Sequence, residues 1–172
     1  MTKNLDNEGL SSIVDNYQLF YIDLWGVVHN GETLHNEAIK TLKEISKKKK
    51  DYILLTNAPR PNWAVKSFLK KMGMEQEIIE HVFTSGEAAL NYLKKNFLNK
   101  KFFHIGPPRD FDLFKDFKKM KVDSLDNSEY ILCTGLFDDH DKDLKYYKVL
   151  LEEKLEKKMI CTNPDLIVDR GN

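Results

Sequence analysis

Apolar residues in this chain fall into short continuous runs separated by stretches with helical spacing. Leu19 to Ile22 is the first run, and it ends in a carboxylate, Asp23. Asp51 to Thr56 (Asp-Tyr-Ile-Leu-Leu-Thr) is the second. Short runs rich in aromatic and β-branched residues predict buried strands. The same reading places strands at His81–Thr84, Lys101–Ile105, Tyr130–Thr134 and Lys158–Thr162. Between them, Asn36 to Lys48 carries Ala38, Ile39, Leu42 and Ile45 at helical spacing. Further helices are predicted over Asn62–Met72, stopped by Gly73, and over Ser85–Lys95 with Ser85 as N-cap. Phe111–Met120 and Asp141–Lys157 complete the set, and residues 1–17 are predicted as a short lead-in helix. Val27 to Leu34 is expected to fold back on itself around Asn30-Gly31, a favoured hairpin pair. Strands alternating with helices argue for a mostly parallel α/β architecture.

Composition removes several function classes. The 172 residues carry 27 basic and 27 acidic side chains, a formal net charge of zero. That balance gives no electrostatic case for nucleic acid or an anionic membrane. The Lys47–Lys50 run reads as the solvated end of a helix, where cations offset the macrodipole. No apolar run approaches membrane-spanning length, and the N-terminus has no signal-peptide core, so a cytoplasmic location is expected. Cys133 and Cys161 form no close motif and are expected as reduced core residues. The five histidines show no metal-ligand spacing and read as surface or packing residues.

Two strand ends carry the candidate chemistry. Asp23 stands at the carboxyl end of the first strand, just before Gly26, where the chain can bend sharply. Thr56 ends the second strand, followed by Asn57 and a proline-set turn into a helix. Each stretch alone reads as a polar turn. Together they offer a carboxylate, a hydroxyl and backbone N–H groups at one sheet edge, if the two strands are neighbours. Ligands bind at that edge in open α/β sheets, and such donors suit a phosphate oxygen.

The order of the motifs carries a resemblance. Asp23-Leu-Trp-Gly-Val-Val-His-Asn-Gly, Leu55-Thr-Asn-Ala-Pro-Arg, Val82-Phe-Thr-Ser-Gly-Glu-Ala-Ala, Ile105-Gly-Pro-Pro-Arg-Asp with Thr134-Gly-Leu-Phe-Asp-Asp, and Cys161-Thr-Asn-Pro-Asp occur in sequence. This series resembles the haloacid-dehalogenase superfamily of aspartate-nucleophile phosphohydrolases, subclass IIA, which includes NagD-type and p-nitrophenyl phosphatases. The resemblance implies the first half of a Rossmann-like core over residues 1–84 and an α/β cap over 85–172. It implies Asp23 as nucleophile, with Gly26, Thr56 and Asn57 binding the substrate, a small phosphorylated metabolite. It also implies Mg²⁺ on Asp23 and on the main-chain carbonyl of Trp25, and leaves Arg109 and the Gly135–His140 loop as places that could touch the leaving group.

Two departures qualify what the resemblance implies. Family phosphatases usually carry a second Asp two residues after the nucleophile, as proton donor and later base. Trp25 occupies that position, and a positioned acid–base group is typically worth about 10²–10⁴ in rate. The family's later Lys and acidic metal-binding pair have no counterpart after Asp165, where only Asp169 and Arg170 remain among charged residues. The expectations are therefore a phosphohydrolase lacking those motifs, a non-catalytic phosphometabolite- or partner-binding module, or half of a split enzyme. On the last reading the chain pairs as a homodimer or with a complementing C-terminal fragment. The expected consequence is a chain inactive and marginally soluble by itself, with an open edge on the Phe20-Tyr21-Ile22 strand.

Overall fold

The computed structural model of the chain describes residue 5 and residues 8–152 and 154–163. Its strands lie in two separate sheets, ordered β1-β2-β3 and β5-β4-β6-β7. The described residues divide into two compact units. One runs through Thr56 and resumes over Phe68–Val82; the other takes Asn57–Ser67 and continues from Phe83. Among the described residues no helix is long and apolar enough to cross a membrane.

In the first unit, β1 (Leu19–Asp23) pairs parallel with β2 (Asp51–Thr56), from Leu19 opposite Asp51 to Asp23 opposite Leu55. The connecting helix α1 (Asn36–Lys47) buries Leu42 and Ile45 and half-buries Ala38 and Ile39, the four positions its spacing singled out. It ends where Lys49 takes a left-handed conformation, φ 57°. Lys49 N–H then reaches the Ser46 carbonyl at 2.9 Å and Lys50 N–H the Ile45 carbonyl at 3.2 Å, which satisfies the last turn. The lysine run is this helix end, with Lys47 paired to Glu44 and Lys48 to Asp15. The described part of residues 1–17 does not form the expected lead-in helix. The described part forms two 3₁₀ turns, Leu10–Ser12 and Val14–Asn16, in which Val14 is buried. β1 has the open edge expected from the sequence but not the expected burial. Its residues are exposed or half-buried, with Tyr21 66% exposed, because β2 is its single neighbour in the sheet. An apolar run cannot distinguish a central strand from an edge strand whose other flank is open.

Helix α2 (Asn62–Lys71) precedes Gly73, whose φ of 89° suits a helix stop. Helix α3 (Gln76–Ile79) was not anticipated; it buries Ile78 and Ile79 within an acidic stretch. β3 (Val82–Thr84) follows.

The second unit is a parallel sheet covered on both faces, the arrangement such sheets require. It contains α4 (Ser85–Asn96), β4 (Phe102–Ile105), β5 (Lys121–Val122), β6 (Tyr130–Cys133), α5 (Leu144–Leu151) and β7 (Lys158–Cys161). Phe102, Tyr130 and Leu132 pack on one face with Leu93 and Phe97 of the α4 segment and Leu113, Phe114 and Phe117. Ile105 and Ile131 pack on the other with Tyr147. The segment expected as an α-helix over Phe111–Met120 is a 3₁₀ run, Pro108–Met120, kinked at Phe114. Phe111, Phe114, Phe117 and Met120 recur every third residue, which is the 3₁₀ period and not the α period. The helix expected over Asp141–Lys157 is shorter, because Asp143 caps it by accepting from Tyr146 N–H at 3.0 Å. Cys133 and Cys161 face each other in the β6–β7 register as free thiols. Cys133 is half-buried, but Cys161 is exposed on edge strand β7 and is not a core residue.

The cap of α4 is Thr84, not Ser85. Its hydroxyl oxygen accepts from Glu87 N–H at 2.9 Å, while Ser85 Oγ donates to the Ala58 carbonyl at 3.0 Å. Thr84 Oγ1 also donates to the Arg60 carbonyl at 2.6 Å, and Gly86 N–H donates to Ala58 at 3.1 Å. A Cβ on Gly86 would collide with the Arg60 backbone. Gly86→Ala should therefore destabilise the second unit by about 1–3 kcal/mol, read as a lower urea midpoint at unchanged slope.

Burial and the nearby Lys121 hold His104 neutral, with a pKa of about 4. Burial, and then His35, also lower His29, which Asp23 partly opposes. A histidine held below its unfolded pKa gives stability that is complete above about 6.5 and is lost as pH falls toward the folded value. Asp110, raised by burial, works in the opposite direction at the acid end of that range. Stability should fall as the pH is lowered from about 6.5 toward 4, and His104→Gln should flatten that slope in pH-dependent urea melts.

Candidate active site

The register of β1 and β2 sets the site. Asp23 pairs with Leu55, so Thr56 lies one step further along the neighbouring strand, at the same carboxyl edge. The two chemistry-bearing strand ends expected from the sequence are thus neighbours. Asp23 is exposed, Thr56 half-buried, and Asn57, exposed, is the next residue of the chain.

Asp23 opens a tightly bonded loop. Its Oδ1 accepts from Leu24 N–H at 2.7 Å. The Leu24 carbonyl accepts from Val28 at 2.8 Å and His29 at 3.1 Å. Gly26, at φ 74°, donates its N–H to the His29 carbonyl at 2.8 Å. That left-handed conformation is the reason a glycine follows Trp25. The fold-back expected over Val27–Leu34 is present as isolated bridges, His29 to Leu34 and Trp25 to His29, and not as a two-stranded hairpin. Asn30 is not a central turn residue: its N–H donates to the Thr33 carbonyl at 3.2 Å. Its side-chain Oδ1 accepts from Glu32 and Thr33 N–H at 3.0 and 2.8 Å. The turn is therefore centred on Gly31-Glu32, one residue later than the Asn-Gly pair suggested.

His29 organises this loop, a role the sequence reading missed. It is 4% exposed, and its Nδ1 accepts from Gly31 N–H at 3.0 Å. Its ring meets Trp25 and Phe68 edge-on at 5.4 and 5.9 Å. Trp25 in turn covers Gly31: a Cβ there would lie 2.6 Å from the indole. The position at which the resemblance leads to the expectation of an acid thus anchors an aromatic stack.

The second-motif turn is fixed from the other side. Asn62 Oδ1 accepts from Thr84 N–H and Asn62 N–H donates to Glu87 Oε2, both at 2.9 Å. Arg60 pairs with Asp112 at 2.8 Å, and its Nε is buried without a hydrogen-bond partner. Arg60 is one of three arginines, the one signal that could have marked it. Arg109, named from sequence as a possible leaving-group contact, is tied to Asp138 at 2.6 Å. Asp165, Asp169 and Arg170 lie outside the described residues.

Asp23 and the Trp25 carbonyl would supply two oxygen donors to a magnesium ion. Among the described residues no group of three or more His, Cys, Asp and Glu side chains could hold a metal. Near-octahedral oxygen ligation asks for more than this edge provides, so the described residues alone do not fit a complete magnesium site.

Gly31→Ala should force the Trp25 indole aside and strain a left-handed position, φ 97° in the native loop. In a Trp63→Phe background, where Trp25 is the sole tryptophan, its emission should shift to longer wavelength. The loop should lose at least about 1 kcal/mol.

Comparison with known proteins places this geometry. A family model described as haloacid dehalogenase-like hydrolase matches residues 20–118. The chain is 26% identical to phosphoglycolate phosphatase 2 of Arabidopsis thaliana over 167 residues, covering 84% of this chain and 54% of that one. It superposes with a TM-score of 0.81 on a haloacid dehalogenase-like hydrolase from Brucella suis, at 32% identity, covering 96% of this chain and 63% of that one. It shares the fold of a 4-nitrophenylphosphatase from Thermotoga maritima, with a TM-score of 0.63 at 24% identity, covering 89% and 57%. The chain therefore spans about half to two thirds of the length of these relatives. With its motifs in order and its two chemistry-bearing strand ends side by side, the chain belongs to the haloacid dehalogenase-like hydrolases and corresponds to the N-terminal part of their subclass IIA members.

Proposed function

We propose that this chain supplies the nucleophile half of a phosphohydrolase acting on a small phosphomonoester. The observation that carries the reading is the adjacency of Asp23 and Thr56 at the carboxyl ends of two parallel, in-register strands. The relative that acts on phosphoglycolate supports a small phosphorylated acid as substrate class. Residues 1–84 are proposed as the first half of the core and 85–172 as the cap.

In this reading the Asp23 carboxylate attacks phosphorus, forms the aspartyl-phosphate bond and expels the substrate alkoxide. Water then cleaves the acyl-phosphate, returning the carboxylate and releasing inorganic phosphate. Thr56 hydroxyl and Asn57 N–H donate to phosphoryl oxygens, and the left-handed turn at Gly26 keeps the approach beside Asp23 clear of a side chain. Bound Mg²⁺ supplies charge neutralisation in this family, and the carboxylates needed to complete its shell are proposed to come from outside the described residues.

Trp25 supports a second reading. Indole neither donates nor accepts the proton that the leaving alkoxide needs, a role typically worth about 10²–10⁴ in rate. A module that binds a phosphometabolite or a partner, or one that is completed by a C-terminal fragment or a second copy, accommodates Trp25 without a rate demand. The exposed flank of β1 supports the completed form.

The test is beryllofluoride, which mimics the phosphoryl group on an aspartate. A fluorine resonance for the adduct should appear with the wild-type chain, or with the chain plus its complement, and vanish in Asp23→Asn. Hydrolysis of p-nitrophenyl phosphate by the active assembly should fall at least a thousandfold in the same variant. Retained hydrolysis in Asp23→Asn would refute the assignment.

A further inference from the structure

The sheet of the second unit carries its own ligand-site topology. Its order is β5-β4-β6-β7, with parallel pairing throughout. The chain leaving β4 goes to one side of the sheet and the chain leaving β6 to the other. The direction of winding therefore reverses between β4 and β6. In parallel sheets the carboxyl ends at such a reversal open a crevice where ligands bind. A crevice of about 590 Å³ is present there, between the segment that follows β4 and the loop that follows β6.

His104 lines this crevice and belongs to a buried polar cluster behind it. His104 Nε2 lies 2.9 Å from Thr134 Oγ1, and the nearby Thr134 hydroxyl partly offsets the burial that raises the Asp110 carboxyl. All three side chains are at least 94% buried, His104 and Asp110 at 6% exposure and Thr134 at 2%. A Cβ on Gly106 would collide with Thr134 Oγ1 and lie 2.9 Å from His104 Nε2, so glycine at 106 is what admits the cluster.

The walls are apolar and ring-shaped, from Phe111, Phe114 and Phe137. The rim carries one charge of each sign that no ion pair within the described residues consumes. Lys121 holds its ammonium 5.9 Å from the Phe114 ring and makes no ion pair there. Asp138 is committed to Arg109, which leaves Asp139 as the available carboxylate. A simple anion would meet Asp139 and a simple cation would meet Lys121. A zwitterion satisfies both while its ring fills the space between the phenyl groups.

We propose that this crevice binds a small zwitterion with a flat ring, of the aromatic amino-acid class. Its recognition uses none of the residues assigned to phosphoryl transfer. The test is calorimetric titration of the purified 172-residue chain with phenylalanine, 3-phenylpropionate and 2-phenylethylamine. Saturable binding of phenylalanine is expected, at least tenfold tighter than either single-charge probe. Lys121→Ala and Asp139→Asn should each weaken it at least tenfold, and Asp23→Asn should leave it unchanged. No saturable binding in the millimolar range, equal affinity for all the probes, or loss of binding in Asp23→Asn would overturn the proposal. Because the probe series needs no substitution, the outcome does not depend on the variants folding, and it is separate from whether Asp23 accepts a phosphoryl group.

Discussion

The parallel pairing of β1 with β2 is the constraint on which the candidate site depends. A run of backbone hydrogen bonds holds Asp23 opposite Leu55. Slipping that register by one residue would turn every side chain of one strand to the other face. Tyr52 and Leu54 are buried on β2, so the slip would expose them, and the hydrophobic cost of that pins the site as well as the core. The loop after Asp23 starts from this fixed point, with the Leu24 carbonyl gathering the N–H groups of Val28 and His29. Asp23 and Thr56 are thus placed by backbone pairing, with no need for contact between their own side chains.

The same pairing leaves β1 one-sided. Its exposed Tyr21 and Leu19 lie along an edge that has no partner among the described residues. The second unit presents the opposite case. Its sheet is covered on both faces, one by the Phe102–Phe114–Tyr130 aromatic cluster and one by Ile105, Ile131 and Tyr147. Stability in that unit comes from complete coverage, while β1 remains the least covered strand of the first unit.

Trp25 links these observations to chemistry. In place of an acid it contributes a large apolar ring, held edge-on by His29 and seated over Gly31. His29 stays neutral because burial outweighs the attraction of Asp23. On the proposed reading, the loop that would deliver a proton to a leaving group instead presents an aromatic platform beside Asp23. The phosphoryl chemistry proposed at Asp23 would therefore have to obtain its proton elsewhere or proceed more slowly, and binding without turnover is a coherent use of the same edge.

The sequence alone determined the α/β class, most strand positions, and the pair of strand ends at Asp23 and Thr56. These features are local: apolar runs, helical spacing and the residue at a strand terminus are all written within a few positions. The 3₁₀ run over Pro108–Met120 was also written there, in the every-third-residue spacing of Phe111, Phe114, Phe117 and Met120, but was read with the wrong period. Tertiary structure alone decided how little of β1 is buried and that Cys161 is exposed, because burial depends on neighbours that no local pattern names. It also decided that Thr84 caps α4 through a hydroxyl shared with the Arg60 carbonyl, a residue far away in the chain. The crevice of His104, Lys121 and Asp139 belongs to the same class. Its residues come from separate segments, and only the strand order β5-β4-β6-β7, fixed by long-range pairing, brings their chemistry together.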